Sequence, residues 1–141
     1  MRYYAGVFIA LLCAGCEGRN EVVVPARASI PGAVTLAPGQ SVQVPEYGLT
    51  ATFDSVTADS RCPLGAECVW AGDGATRLTI QRYTLDAVTC TLHTTLNPKL
   101  IAVNGVNIEL MELDPVPRLG ITLYHWSYTA VFHLGPIYVP K

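Results

Sequence analysis

The chain has 141 residues, half of them apolar and only 14% charged, with 9 basic and 11 acidic side chains and a net charge of −2. That length suits one ordinary domain, and a chain this apolar can bury a core, which excludes disorder by composition. So dilute and slightly negative a charge argues against a nucleic-acid partner, and no apolar run reaches the roughly 18 residues of a membrane-spanning helix.

Met1-Arg2-Tyr3-Tyr4 carries one positive charge, Ala5 to Leu12 is apolar, and Cys13-Ala14-Gly15-Cys16 follows. A charged start, a short apolar stretch and small residues ahead of a cut read as an export signal. Leu12-Cys13-Ala14-Gly15-Cys16 also resembles the bacterial lipoprotein signal, in which small residues precede a lipid-accepting cysteine. The resemblance implies a signal peptide over residues 1–15 and diacylation of Cys16, which then becomes the first residue of the mature chain. Cys13 stands where that signal usually carries an aliphatic residue. Two or three acyl chains, at about 0.8 kcal/mol per buried CH2, give an effectively permanent membrane anchor. Glu17 occupies the place where Asp would signal inner-membrane retention, which points to the outer membrane, facing the periplasm, where two membranes exist. The alternative is an ordinary secretory signal cut nearby. Loss of Arg2 with the signal leaves eight basic against eleven acidic residues, a net charge of −3.

Residues 16–32 read as a lipidated tether containing Gly18, Arg19, Asn20, Pro25, Pro31 and Gly32. Val22-Val23-Val24 belongs to it or forms an edge strand. At ~3 Å per residue an extended tether of this length holds a domain tens of Å from the bilayer.

Residues 33–141 read as a single all-β domain. Leu49, Ala51 and Phe53 alternate with Thr50, Thr52 and Asp54, and Leu78 and Ile80 with Arg77, Thr79 and Gln81. Val88, Cys90 and Leu92 share one face, and Val106, Ile108 and Leu110 share another. The longest alternation runs through Tyr124, Trp126, Tyr128, Ala130, Phe132 and Leu134, which predicts one core-facing strand. Period two repeated this often means half-buried strands. Pro38-Gly39, Asp73-Gly74 and Asn104-Gly105 supply turn chemistry, the last two as hairpin dipeptides. Pro45, Pro115 and Pro117 interrupt ladders. The expected architecture is a single antiparallel β-sandwich of about seven or eight strands.

With Cys13 removed and Cys16 lipidated, Cys62, Cys68 and Cys90 remain. Disulfides persist outside the cytoplasm, and pairing Cys62 with Cys68 around Pro63-Leu64-Gly65-Ala66-Glu67 is the economical solution. Such a staple contributes on the order of 2 kcal/mol by restricting the unfolded chain. Cys90 is left as a buried, inert thiol.

Asp59-Ser60-Arg61-Cys62-Pro63 and Cys68-Val69-Trp70-Ala71-Gly72 resemble a family of small bacterial lipoproteins with a D-S-R-C-P segment followed by C-x-W-A-G. The match is specific over the 14 positions from Asp59 to Gly72, diffuse elsewhere, and loosely extended by Leu113-Asp114-Pro115-Val116-Pro117. The family implies a fold and an envelope location but brings no established activity. Two roles remain open for the motif. In one, Arg61 pairs with Asp59 or Glu67 to brace the loop while Trp70 covers the disulfide or plugs one end of the sandwich. In the other, the stapled loop is a presented surface of Asp59, Arg61, Glu67 and Trp70, since Arg and Trp are enriched among binding hot spots.

Catalytic chemistry finds little to work with. His93, His125 and His133 lie on the polar sides of their strands, and no G-x-S-x-G elbow occurs. His125 and His133 are eight residues apart, roughly 26 Å along a strand, too far to share one metal ion. Cys62-x5-Cys68 lacks zinc-knuckle spacing. The expectation is therefore a non-enzymatic envelope module without cofactor or metal, anchored in a membrane through its lipid and engaging an envelope protein. A small-ligand or metal carrier, or an inhibitor of an exported hydrolase, is the alternative.

Overall fold

A computed structural model describes residues 25–137; the signal, the acylation site and most of the tether lie outside the described residues. Among the described residues, nine strands form two sheets facing each other across one core. The first sheet holds β1 (Ala26–Arg27), β3 (Ser41–Val44), β4 (Leu49–Asp59), β5 (Gly74–Arg82) and β6 (Leu85–His93), in the order β1-β3-β4-β5-β6. The second holds β2 (Gly32–Leu36), β7 (Leu100–Val103), β8 (Val106–Asp114) and β9 (Thr129–Pro136), in the order β2-β9-β8-β7. The all-β sandwich read from the sequence is the observed class. It has nine strands rather than seven or eight, the extra one being the two-residue β1. That strand pairs in parallel with β3, Ala26 opposite Val42 and Arg27 opposite Gln43, while every other pairing between these strands is antiparallel. The sheet thus begins at Ala26, inside the stretch assigned above to a tether ending at Gly32.

Alternation sorts the side chains between core and solvent. Val42, Val44, Leu49, Ala51, Phe53, Leu78, Ile80 and Leu92 come from the first sheet; Leu36, Val106, Ile108, Leu110, Leu113, Ala130, Phe132 and Leu134 come from the second. Phe53 and Phe132 meet edge to face at the centre, ring centroids 5.7 Å apart. In β8 a bulge between Leu110 and Glu112 shifts the phase, so Met111 points outward and Leu113 returns to the core.

The turns divide into those the dipeptides identify and those they do not. Asn104 (φ 50°) and Gly105 (φ 85°) form the tight β7–β8 hairpin, as their tolerance of positive φ requires. Pro38-Gly39 also turns the chain, but it carries it from β2 in one sheet to β3 in the other. Asp73-Gly74 is not a hairpin turn: Gly74 opens β5, and the β5–β6 hairpin turns at Tyr83-Thr84 instead. The predicted strand from Tyr124 is shorter than expected. β9 begins at Thr129, and His125–Ser127 form a 3-10 turn closed by the Ser127 amide donating to the Tyr124 carbonyl at 2.9 Å. Tyr128 is buried, while Tyr124 and Trp126 stack on each other at 4.8 Å in solvent. The register explains the difference, because β8 ends at Asp114 opposite Thr129 and leaves no strand for residues 124–127 to pair with.

Candidate interaction surface

Three connections gather at the end of the sandwich where β4 and β8 finish: residues 60–73, 94–99 and 115–128. The first carries the motif. Its hairpin continues past β4 through Ser60 N donating to Asp73 O at 2.7 Å and Cys62 N to Ala71 O at 2.8 Å. The Cys62–Cys68 disulfide then closes the tip, with Cα atoms 5.9 Å apart. Gly72 takes a positive φ of 71°, and a Cβ there would lie 1.8 Å from the Ser60 carbonyl oxygen, so only glycine lets the two limbs approach.

Asp59 and Arg61 form a knot beneath the loop. Arg61 donates through Nε to Asp59 Oδ1 at 2.8 Å and through Nη2 to Oδ2 at 2.7 Å. The same guanidinium donates across the sandwich to the Leu113 carbonyl and to the Pro115 carbonyl, the latter at 2.8 Å. The Tyr128 hydroxyl, immediately before β9, donates to Asp59 Oδ2 at 3.1 Å. One charge pair therefore joins the ends of β4, β8 and β9, with side-chain exposures of only 12% for Arg61 and 8% for Asp59. Its geometry is the bidentate fork that arginine and a carboxylate favour.

A second carboxylate organises the neighbouring connection. Asp73 Oδ1 accepts the amides of Thr95 at 2.9 Å and Leu96 at 3.2 Å, and its Oδ2 lies 2.6 Å from His93 Nδ1. The sequence pointed to Asp73 only as a turn former. Nothing short of its burial distinguishes a loop-organising aspartate from an ordinary Asp-Gly.

The four residues proposed as a presented surface separate into two pairs. Asp59 and Arg61 face inward and brace the fold. Glu67 and Trp70 are exposed, Trp70 by 66%, and the adjacent Val69 is fully exposed. Of the two partners weighed for Arg61, Asp59 is the one it takes, and Trp70 does not shelter in the molecule. The stapled tip is held against the 115–128 connection by Leu64 N donating to Pro117 O at 2.8 Å and Leu119 N to Leu64 O at 3.1 Å. That connection exposes Leu119, Ile121, Tyr124 and Trp126; the last two were missed as surface because their alternation imitates a core strand.

Electrostatics support the bracing role. Burial works to raise the pKa of Asp59, but hydrogen bonds and charge from Arg61, with the Tyr128 hydroxyl, outweigh it and hold the carboxyl below its ordinary 3.8. Burial acts the same way on Asp73, and its bonds to His93, Thr95 and Leu96 again prevail. Folded carboxyls with lowered pKa stay ionised while the unfolded chain takes up protons. Their stabilisation is thus present above the ordinary carboxyl value and lost as pH falls through the folded values. Urea midpoints should decline below about pH 4, and the decline should be shallower in Asp59→Asn, which has no proton to gain there. An equally steep decline in that variant would remove Asp59 from the explanation.

Cys90 lies half-buried in β6, its thiol pushed up to about 11, chiefly by burial and further by the charge of Asp54. It should be slow to alkylate in the native protein. Peptide mapping after alkylation of unreduced, denatured protein should find Cys90 modified and Cys62 and Cys68 protected; modification of all three would remove the staple.

Elsewhere the chemistry is sparse. Among the described residues no three His, Cys, Asp or Glu side chains gather as a metal set. His125 packs edge-on against Trp126 at 4.5 Å, and His133 sits in β9 opposite Ala33 and Glu109. A groove of about 290 Å³ lies near the other end of the first sheet, lined by Arg27, Gln43, Thr50, Gln81 and Tyr83 among others. Its polar groups are partly spent, the Tyr83 hydroxyl on Pro45 O at 2.9 Å and Gln81 Nε2 on Leu85 O at 2.6 Å.

Compared with protein-family models, curated proteins and solved structures, the chain matches none.

Proposed function

We propose that this protein is a non-enzymatic module of the bacterial envelope, anchored by acyl chains on Cys16 and working by contact through its stapled end. The observation that carries the reading is the division of labour in the D-S-R-C-P…C-x-W-A-G segment. Asp59, Arg61 and the disulfide are committed to rigidity, while Val69 and Trp70 are held out in solvent. A pre-organised apolar tip loses little conformational freedom on binding, which is what a contact surface requires. The anchor is supported by the lipoprotein-like run ending at Cys16.

Two measurements test it. Metabolic labelling with palmitate should mark the full chain and fail on Cys16→Ser; equal labelling would refute the anchor. A photo-crosslinking amino acid at position 70, in native envelopes, should give adducts that the same group at position 89, on the exposed side of β6, does not. Equal or absent adducts would refute the stapled end as the working surface.

A further inference from the structure

We infer that the stapled end is a lipid-docking surface, which seats the sandwich tip-first on the bilayer that holds its own anchor. The inference rests on the anchored reading above and names the partner of that surface.

Val69 and Trp70 project from one connection and Leu119, Ile121, Tyr124 and Trp126 from another, all exposed. Monomeric proteins seldom display so many large apolar side chains together without something to cover them. Tryptophan and tyrosine are the residues that favour the boundary between headgroups and acyl chains, where one part of the ring is apolar and the other wet. The buried charges of Arg61 and Asp59 neutralise each other, while Lys99 stays exposed on the 94–99 connection. Glu67 and Arg118 are exposed on the two connections with opposite signs.

β1 runs parallel to β3, and β3 runs antiparallel to β4, which finishes at the stapled end. Followed backwards from Ala26, the chain therefore heads towards that end. Ala26 stands level with Val42 and, through it, with Ala51. From Ala51 to Asp59 is eight residues of strand, about 26 Å. Ten residue steps separate Cys16 from Ala26 and span at most about 36 Å. A fully extended tether of that reach is just long enough for the acyl chains to come level with the base of the stapled loop beyond Asp59. Once anchored, the tip meets lipid at a high effective concentration, so a weak contact suffices. The rigid brace keeps the loops from collapsing onto the sandwich instead.

The two tryptophans of the chain, Trp70 and Trp126, both lie at this end, so emission excited selectively from tryptophan, beyond the tyrosine absorption, reports on it alone. The experiment uses full-length protein purified from its envelope and reconstituted into phosphatidylethanolamine–phosphatidylglycerol vesicles, with acylation of Cys16 verified by mass spectrometry. Docking predicts blue-shifted emission, loss of most of it to lipids bearing a doxyl group on the acyl chain, and little quenching by aqueous iodide, all unchanged in high salt. Trp70→Glu, an exposed substitution, should restore iodide access to Trp126 without unfolding the sandwich, as judged by circular dichroism. Acylated protein whose tryptophans stay open to iodide and untouched by doxyl lipid would overturn the inference and leave the anchored reading standing. Position-70 crosslinks to a protein instead of lipid would overturn it as well. Absence of acylation would overturn the anchor, and this docking geometry with it.

Discussion

Arg61→Ala should lower the stability of the protein by about 3 kcal/mol, read as a fall in the urea midpoint at unchanged slope. The size follows from what the substitution strands. Asp59 would remain as a largely buried carboxylate, keeping only the Tyr128 hydroxyl and the backbone amide of Arg61, while the Leu113 and Pro115 carbonyls would lose their donor. Removing one member of a buried pair costs far more than the pair contributes, because the survivor cannot recover its hydration. Asp59→Leu combined with Arg61→Met should therefore be less damaging than Arg61→Ala alone. A loss within about 0.5 kcal/mol for Arg61→Ala would mean that the pair behaves as an ordinary surface ion pair. The prediction also disqualifies Arg61→Ala as a probe of binding, since any loss of contact would report disorder in the loop. Trp70, exposed and without a bracing role, is the sound probe.

Phe132→Ala should cost about 3–5 kcal/mol, and Phe53→Ala a comparable amount. The two rings are fully enclosed, one from each sheet, and their edge-to-face contact is the centre of the core. Truncating either opens a cavity that neighbours fixed in two hydrogen-bonded sheets cannot fill. The double variant should cost less than the two losses added, by about 0.5–1.5 kcal/mol, since the ring contact is removed only once. Strict additivity in denaturation experiments would show that the rings do not couple.

Much of the architecture was legible because burial on one face of a strand enforces period two. Leu49, Ala51 and Phe53, and Val106, Ile108 and Leu110, occupy the core as their alternation requires. Alternation does not say which sheet a strand joins, however, so nothing in the sequence separates β2 from β3 across Pro38-Gly39. Nor does it reveal whether a partner strand exists. Tyr124 and Trp126 alternate as well as Ala130 and Phe132 do, yet they fall beyond the end of β8 and stay in water. The candidate surface was legible in part: the short spacing of Cys62 and Cys68 indicated the staple, and Asp59 was one of two partners weighed for Arg61. Asp73 was not, because its role depends on the amides of Thr95 and Leu96, some twenty residues away in the chain.

The place of β9 in the second sheet governs when the protein can fold. It lies between β2 and β8, pairing Gly32–Leu36 with residues made almost a hundred positions later. Until residues 129–136 have been synthesised, the second sheet has no middle, β2 has no neighbour, and the apolar face of the first sheet has little to pack against. Contacts so distant along the chain also form slowly, since loop-closure entropy is lost before they reward it. The complete sandwich therefore cannot close until nearly all of the chain is available. For a protein threaded through a membrane before it folds, as the proposed location demands, this arrangement keeps the emerging polypeptide pliable for the whole of its passage.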